Sequence, residues 1–135
     1  ETQGELTHFV AGLGTTGTLM GIGRYLKEQN SQIQIVSVQP DSPLHGLEGL
    51  KHMPTAIVPG IYESSFADLN LEIKTEEAYQ MVKRLSKEEG LLAGISSGAA
   101  LAAALQLAER LQTGQIVMIF PDGGSRYLDE EFWKQ

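Results

Sequence analysis

Three threonines, Thr15, Thr16 and Thr18, stand between and beside two glycines, Gly14 and Gly17. That combination suits one kind of chemistry, the holding of an anion and in particular a phosphate. The first amides of a helix have no partner inside it, and the helix dipole places partial positive charge at the same end. Glycine lets backbone approach the anion closely, and threonine hydroxyls add donors. Each charge–dipole contact contributes about 0.3–1 kcal/mol, so several together hold a phosphate without lysine or arginine. The plainer alternative is a tight turn capped by threonine side chains with no ligand. Three hydroxyls bunched around two glycines make it the weaker reading.

A second small-residue turn, Gly94-Ile95-Ser96-Ser97-Gly98, also precedes a helix, and Ser97 there reads as an N-cap. A competing pattern overlaps the first turn. Gly12-Leu13-Gly14-Thr15-Thr16-Gly17 matches the dinucleotide fingerprint G-x-G-x-x-G in its strand-to-helix setting. That fingerprint asks for an acidic residue at the end of the next strand to hold a ribose. The strand ends Ser37-Val38-Gln39, with Asp41 only beyond Pro40. A NAD-binding oxidoreductase is therefore the minority reading.

The elements that must carry these turns are legible from periodicity. Residues 6–12 read as a buried strand closed by glycine, and 33–38 as another; between them Leu19, Ile22, Gly23 and Leu26 recur at helical spacing from Thr18 to about Glu28. This strand–helix–strand order is the signature of a parallel sheet. Residues 40–68 carry four prolines and predict a long loop with one short helix. A strand follows at 69–73. Thr75 reads as the N-cap of a helix with Glu76 and Glu77 in its first turn and Gly90 at its end. An Ala/Leu-rich helix over about 99–111 and a strand over 116–120 complete the order, with a turn at Pro121-Asp122-Gly123-Gly124. The expected fold class is α/β: three α/β/α layers about a mainly parallel sheet, with the ligand at the strands' C-terminal ends.

Bulk properties narrow the function classes. A length of 135 residues fits one domain with a substantial core. A net charge of −7 without a basic cluster argues against nucleic acid. No run of about 18 apolar residues exists to span a membrane, and no secretory signal pattern is present. With no cysteine, disulfides and thiol metal sites are excluded, and no metal site is expected.

Taken together and in order, Gly14-Thr15-Thr16-Gly17-Thr18, the stretch from Gly90 to Gly98, and Pro121-Asp122-Gly123-Gly124-Ser125-Arg126-Tyr127-Leu128 resemble the cysteine synthases, or O-acetylserine sulfhydrylases, of the tryptophan-synthase-β fold type. The resemblance covers essentially the whole chain. A GTTGT loop and the short 39–61 stretch are more similar to the B form. Two departures are visible. Asp129-Glu130 replaces the usual Ser-Thr, and Lys51-His52-Met53 stands where Arg-Arg-Trp is common, which leaves the sulfur donor, sulfide or thiosulfate, open.

The resemblance implies pyridoxal 5′-phosphate as cofactor. Gly14, Thr15, Thr16, Gly17 and Thr18 would cradle its phosphate, and Ser96 would hydrogen-bond its pyridine nitrogen. A neutral hydroxyl there leaves the nitrogen largely unprotonated and the electron sink weaker than a carboxylate would, which suits β-elimination and replacement. Gly60 would lie near cofactor and substrate, and Lys51 at the active-site mouth, although a solvated surface lysine is an equal reading. Asp122 reads as a turn residue. The family's Schiff-base lysine lies in a Ser-x-Lys context in its N-terminal half. None of Lys27, Lys51, Lys74, Lys83, Lys87 or Lys134 has that context. The resemblance thus implies no catalytic residue in this chain, which reads over 1–135 as a C-terminal, cofactor-holding fragment, inactive alone, of a cytoplasmic homodimer that makes cysteine from O-acetylserine. Cystathionine β-synthases, serine or threonine dehydratases and a non-catalytic phosphate-binding module remain as alternatives. The sharpest structural expectation is that Thr16 and Ser96 share one cavity.

Overall fold

The computed structural model describes residues 1–134. Its elements run β1 (His8–Gly12), α1 (Gly17–Gln29), β2 (Gln34–Pro40), β3 (Leu69–Ile73), α2 (Thr75–Arg84), α3 (Ile95–Ala108) and β4 (Ile116–Met118). All strand pairs are parallel, in the order β3-β2-β1-β4. From β1 the chain goes to one side through α1 to β2, and later reaches β1's other side at β4. The β1/β4 boundary is therefore a topological switch point, where crevices form at the strands' C-terminal ends.

Both sheet faces are covered, as the apolar runs of a parallel sheet require. Val10, Val36, Val38, Leu71 and Ile73 pack with Ala78 and Val82 of α2 and Ala99 and Ala103 of α3. Phe9, Ala11 and Ile35, alternating with them, pack with Leu19 of α1. Each large buried aliphatic or aromatic side chain contributes about 1.5–3 kcal/mol. α3 is apolar all round, and ten of its residues are buried. Its small side chains bring it against α2 so closely that a Cβ on Gly98 would lie 2.3 Å from the Ala78 carbonyl oxygen.

Several expectations are corrected in detail. α3 begins at Ile95, not near 99, because Ile95, Ser96 and Ser97 are buried against the core and continue the helix. Ser97 is consequently inside the first turn and not an N-cap; Gly94 holds that position. Thr75 is the first residue of α2, with Lys74 at the cap, and its hydroxyl instead accepts the Gly46 N–H at 2.9 Å. α2 continues into a π-helical turn, Leu85–Glu89, that ends at Gly90 with φ +67°, the left-handed conformation expected of a terminating glycine.

Among the described residues the 41–68 loop contains no helix. Side chains and backbone pin it instead. Lys51 N–H reaches the Leu13 carbonyl at 2.7 Å, and Met53 N–H reaches Gln39 Oε1 at 3.0 Å. Asp68 Oδ2 accepts the Ile35 N–H at 2.8 Å and lies 2.8 Å from Lys27 Nζ. Partial burial pushes the Asp68 carboxyl pKa up, but the Ile35 amide and Lys27 outweigh it and hold the pKa below its ordinary value. A depressed folded pKa gives stability that is present above the unfolded pKa of about 3.9 and is lost as pH falls through the folded value. Asp68→Asn should therefore lower stability at pH 7 and flatten its loss below about pH 4, as measured by urea denaturation across pH. An unchanged acid limb would show that Asp68 does not carry this effect.

Candidate functional site

Thr16 closes the turn after β1 with φ +68° and ψ 0°, a left-handed conformation that is unusual for a β-branched residue. Strain of that kind costs about 1–3 kcal/mol and concentrates at functional sites. Thr16 is the N-cap residue of α1, yet its hydroxyl makes no capping bond; Oγ1 is buried without a partner among the described residues. This argues against the plain capping reading. The first helical bond runs from Met20 N–H to the Thr16 carbonyl at 2.9 Å. The amides of Gly17, Thr18 and Leu19 thus have no partner within the helix. No acidic residue stands in that first turn to neutralise them.

The neighbouring glycines serve a purpose the sequence did not show. A Cβ on Gly14 would sit 2.5 Å from the Gly49 carbonyl oxygen, and one on Gly12 would sit 2.4 Å from Leu50 Cδ2. They let the 48–50 segment, with Gly49 at φ +89°, close against the turn. Gly46 binds that segment to α2 through Thr75.

Between these parts lies a cavity of about 300 Å³ at the C-terminal ends of β1 and β4, at the lower end of small-molecule sites. Gly14, Thr15, Thr16, Thr18 and Ser96 all line it. The two turns, distant in sequence, do meet. Gly17 stands just outside the lining as the first residue of α1. Lys51 and Gly60 are not among the lining residues; Lys51 is half-buried next to the lining residue Leu50, and Gly60 is exposed.

Four further lining residues with polar or charged side chains were not expected as site residues: Glu48, Asp122, Arg126 and Tyr127. Asp122 Oδ2 accepts the Tyr127 hydroxyl at 2.7 Å, and Arg126 lies 3.9 Å from Asp122 and 3.7 Å from Glu48. Burial, then the bond to Asp122, pushes the Tyr127 phenol up to about 12, so it stays a neutral donor. The 121–128 motif carried the signal for Asp122, Arg126 and Tyr127, but sequence adjacency alone did not place them at the cavity, and Glu48 had no signal.

A helix N-terminus with a buried, unpartnered hydroxyl and the first turn of a second helix, both lining one cavity, fit a small phosphorylated ring. No lysine lines the cavity among the described residues. The family model described as "Pyridoxal-phosphate dependent enzyme" matches residues 1–122, and the chain belongs to that family. Pyridoxal phosphate is accordingly the cofactor that these residues fit.

Within that family the chain is similar to cysteine synthases. It is 50% identical over 132 residues to the cysteine synthase of Aquifex aeolicus, covering 95% of this chain and 40% of the relative. It is 44% identical over 128 residues to cysteine synthase B of Pseudomonas aeruginosa, covering 95% and 42%. Among solved structures, O-acetyl serine sulfhydrylase isoform 3 from Entamoeba histolytica superposes with a TM-score of 0.90 at 34% identity, covering 99% of this chain and 42% of that one. The O-acetylserine-dependent cystathionine β-synthase of Helicobacter pylori gives 0.88 at 37% identity, with 98% and 46% covered. The chain thus spans about two-fifths of the length of the relatives it matches, and its fold is that of the fold-type II pyridoxal-phosphate enzymes.

Proposed function

We propose that the full-length protein carrying this chain is a cysteine synthase of the B type, a transferase that forms L-cysteine and acetate from O-acetyl-L-serine and a sulfur donor, sulfide or thiosulfate. One observation carries the proposal: Thr16 and Ser96, from two separate helix starts, line one cavity at the switch point of the sheet. In this reading the amides at the start of α1 and the hydroxyls of Thr15, Thr16 and Thr18 bind the cofactor phosphate. Ser96 faces the pyridine nitrogen and orients the ring. When bound, pyridoxal phosphate supplies a sink for the electrons left on the substrate's α-carbon. The lysine that anchors the cofactor and moves the α-proton comes from a part of the protein outside these residues. Lys51, beside the rim, draws an anionic sulfur donor toward the mouth, and Gly60 belongs to the substrate side.

The test is cysteine formation by the full-length protein from O-acetylserine with sulfide and, separately, with thiosulfate. Turnover that depends on added pyridoxal phosphate is expected, with none from residues 1–135 alone. Cystathionine from homocysteine at a higher rate than cysteine would favour the second reading, a cystathionine β-synthase, which the similarity to the Helicobacter pylori enzyme supports. We also read the whole enzyme as a cytoplasmic homodimer, which light scattering and cell fractionation check.

A further inference from the structure

Asp122 has a chemistry that the cofactor reading leaves unused. It lines the same cavity as Ser96. Its carbonyl accepts the N–H of Gly94, the N-cap of α3, at 3.1 Å. Its side chain lies so close to that residue that a Cβ on Gly94 would be 1.9 Å from Asp122 Oδ1. Oδ2 is committed to the Tyr127 hydroxyl. Oδ1 is buried with no hydrogen-bond partner among the described residues. The side chain as a whole keeps 26% of its surface exposed, but an oxygen buried without a partner forfeits its own hydrogen bonds to water. Such a group persists where it serves a ligand or sets a local field.

We propose that Asp122 is a positioning residue for the cofactor's ring: its carboxylate supplies fixed negative charge at the Ser96 end of the cavity. This rests on the reading that Ser96 faces the pyridine nitrogen. It changes what a neutral serine implies. With serine alone the nitrogen stays unprotonated; with a carboxylate nearby the protonated form gains, and the ring draws electrons more strongly. Arg126, at 3.9 Å from Oδ2 and largely exposed, partly offsets that charge. Tyr127 holds the carboxylate in place and remains a neutral phenol. The arrangement leaves the nitrogen's protonation adjustable by residues of the 121–128 turn.

The experiment is a pH titration of the absorbance of pyridoxal phosphate bound to the full-length protein, comparing the parent with Asp122→Asn, Arg126→Gln and Ser96→Ala. Asparagine preserves shape and the bond from Tyr127 but removes the charge. The expected result is a midpoint lowered by about one pH unit in Asp122→Asn, the scale of a nearby charge's effect. Arg126→Gln should move the midpoint the other way, and this exposed substitution keeps the question open if Asp122→Asn does not fold. Ser96→Ala should alter the spectrum in its own right. If Ser96→Ala changes it while neither charge variant moves the midpoint, the role of Asp122 is overturned and the Ser96 reading stands. If Ser96→Ala changes nothing, both fall. Equal shifts of one sign in Asp122→Asn and Arg126→Gln would point to packing and also overturn the proposal.

Discussion

Thr16→Asp should leave the full-length protein folded and strip it of pyridoxal phosphate. The backbone at position 16 is left-handed, and aspartate tolerates that conformation better than a β-branched residue does. Aspartate is also a favoured N-cap, and its charge complements the dipole of α1. These gains offset part of the cost of placing a charge at a position where threonine is buried, so the cofactor-free protein should still fold. Binding meets the opposite outcome. A carboxylate about 4 Å from a phosphate repels it by on the order of 4 kcal/mol per charge at an effective dielectric near 20. Even after screening, the affinity for pyridoxal phosphate should fall by about 100-fold or more. Equilibrium dialysis and thermal unfolding measure the two halves separately. An affinity within about threefold of the parent would mean that the phosphate sits elsewhere.

The second large effect concerns the helix that carries Ser96. Gly98→Ala replaces glycine inside a helix, which by propensity alone would stabilise it by about 0.5–1 kcal/mol. Packing reverses the sign. The new Cβ would stand 2.3 Å from the Ala78 carbonyl oxygen and 2.6 Å from Val82 Cγ2. A backbone carbonyl in the middle of α2 cannot turn away, so α3 must move off α2. Overpacking of this kind costs about 1–3 kcal/mol and sometimes more; Gly98→Val should cost about 3 kcal/mol or more. Both substitutions should also weaken cofactor binding, because Ser96 lies half a turn from the displaced residue. Urea denaturation of the two variants checks the order parent, alanine, valine. A stabilised alanine variant would refute the close α2–α3 contact.

Much of the layout was legible because its signals are local. The strand at 8–12, the helix after it and the strand at 34–40 follow from apolar spacing bounded by glycine and threonine. Boundaries slipped where burial overrode local preference. Ser96 and Ser97 look like residues that precede a helix, yet the core around α3 draws them into its first turn. Thr75 has the chemistry of a cap but spends its hydroxyl on Gly46, 29 residues upstream. The prolines of 40–68 mark a loop correctly; what orders that loop is a set of bonds to the turn after β1, to β2 and to α2 that no window of sequence contains.

The same division holds for the site. By itself the sequence determined that an anion could be held at 14–18, that a second helix start at 94–98 was equipped to meet a ligand, and, through its ordered motifs, which family to expect. Only the tertiary structure decided that Thr16 and Ser96 face one cavity and that Thr16 is strained with its hydroxyl free. It alone showed that Gly12 and Gly14 make room for the 48–50 segment and that Asp122, Arg126 and Tyr127 line the same cavity. Hydrogen-bonding capacity and helix periodicity are properties of neighbouring residues, so sequence reports them. Convergence in space depends on how the strand order 3-2-1-4 brings the ends of β1 and β4 together, and that is set by packing across the whole chain.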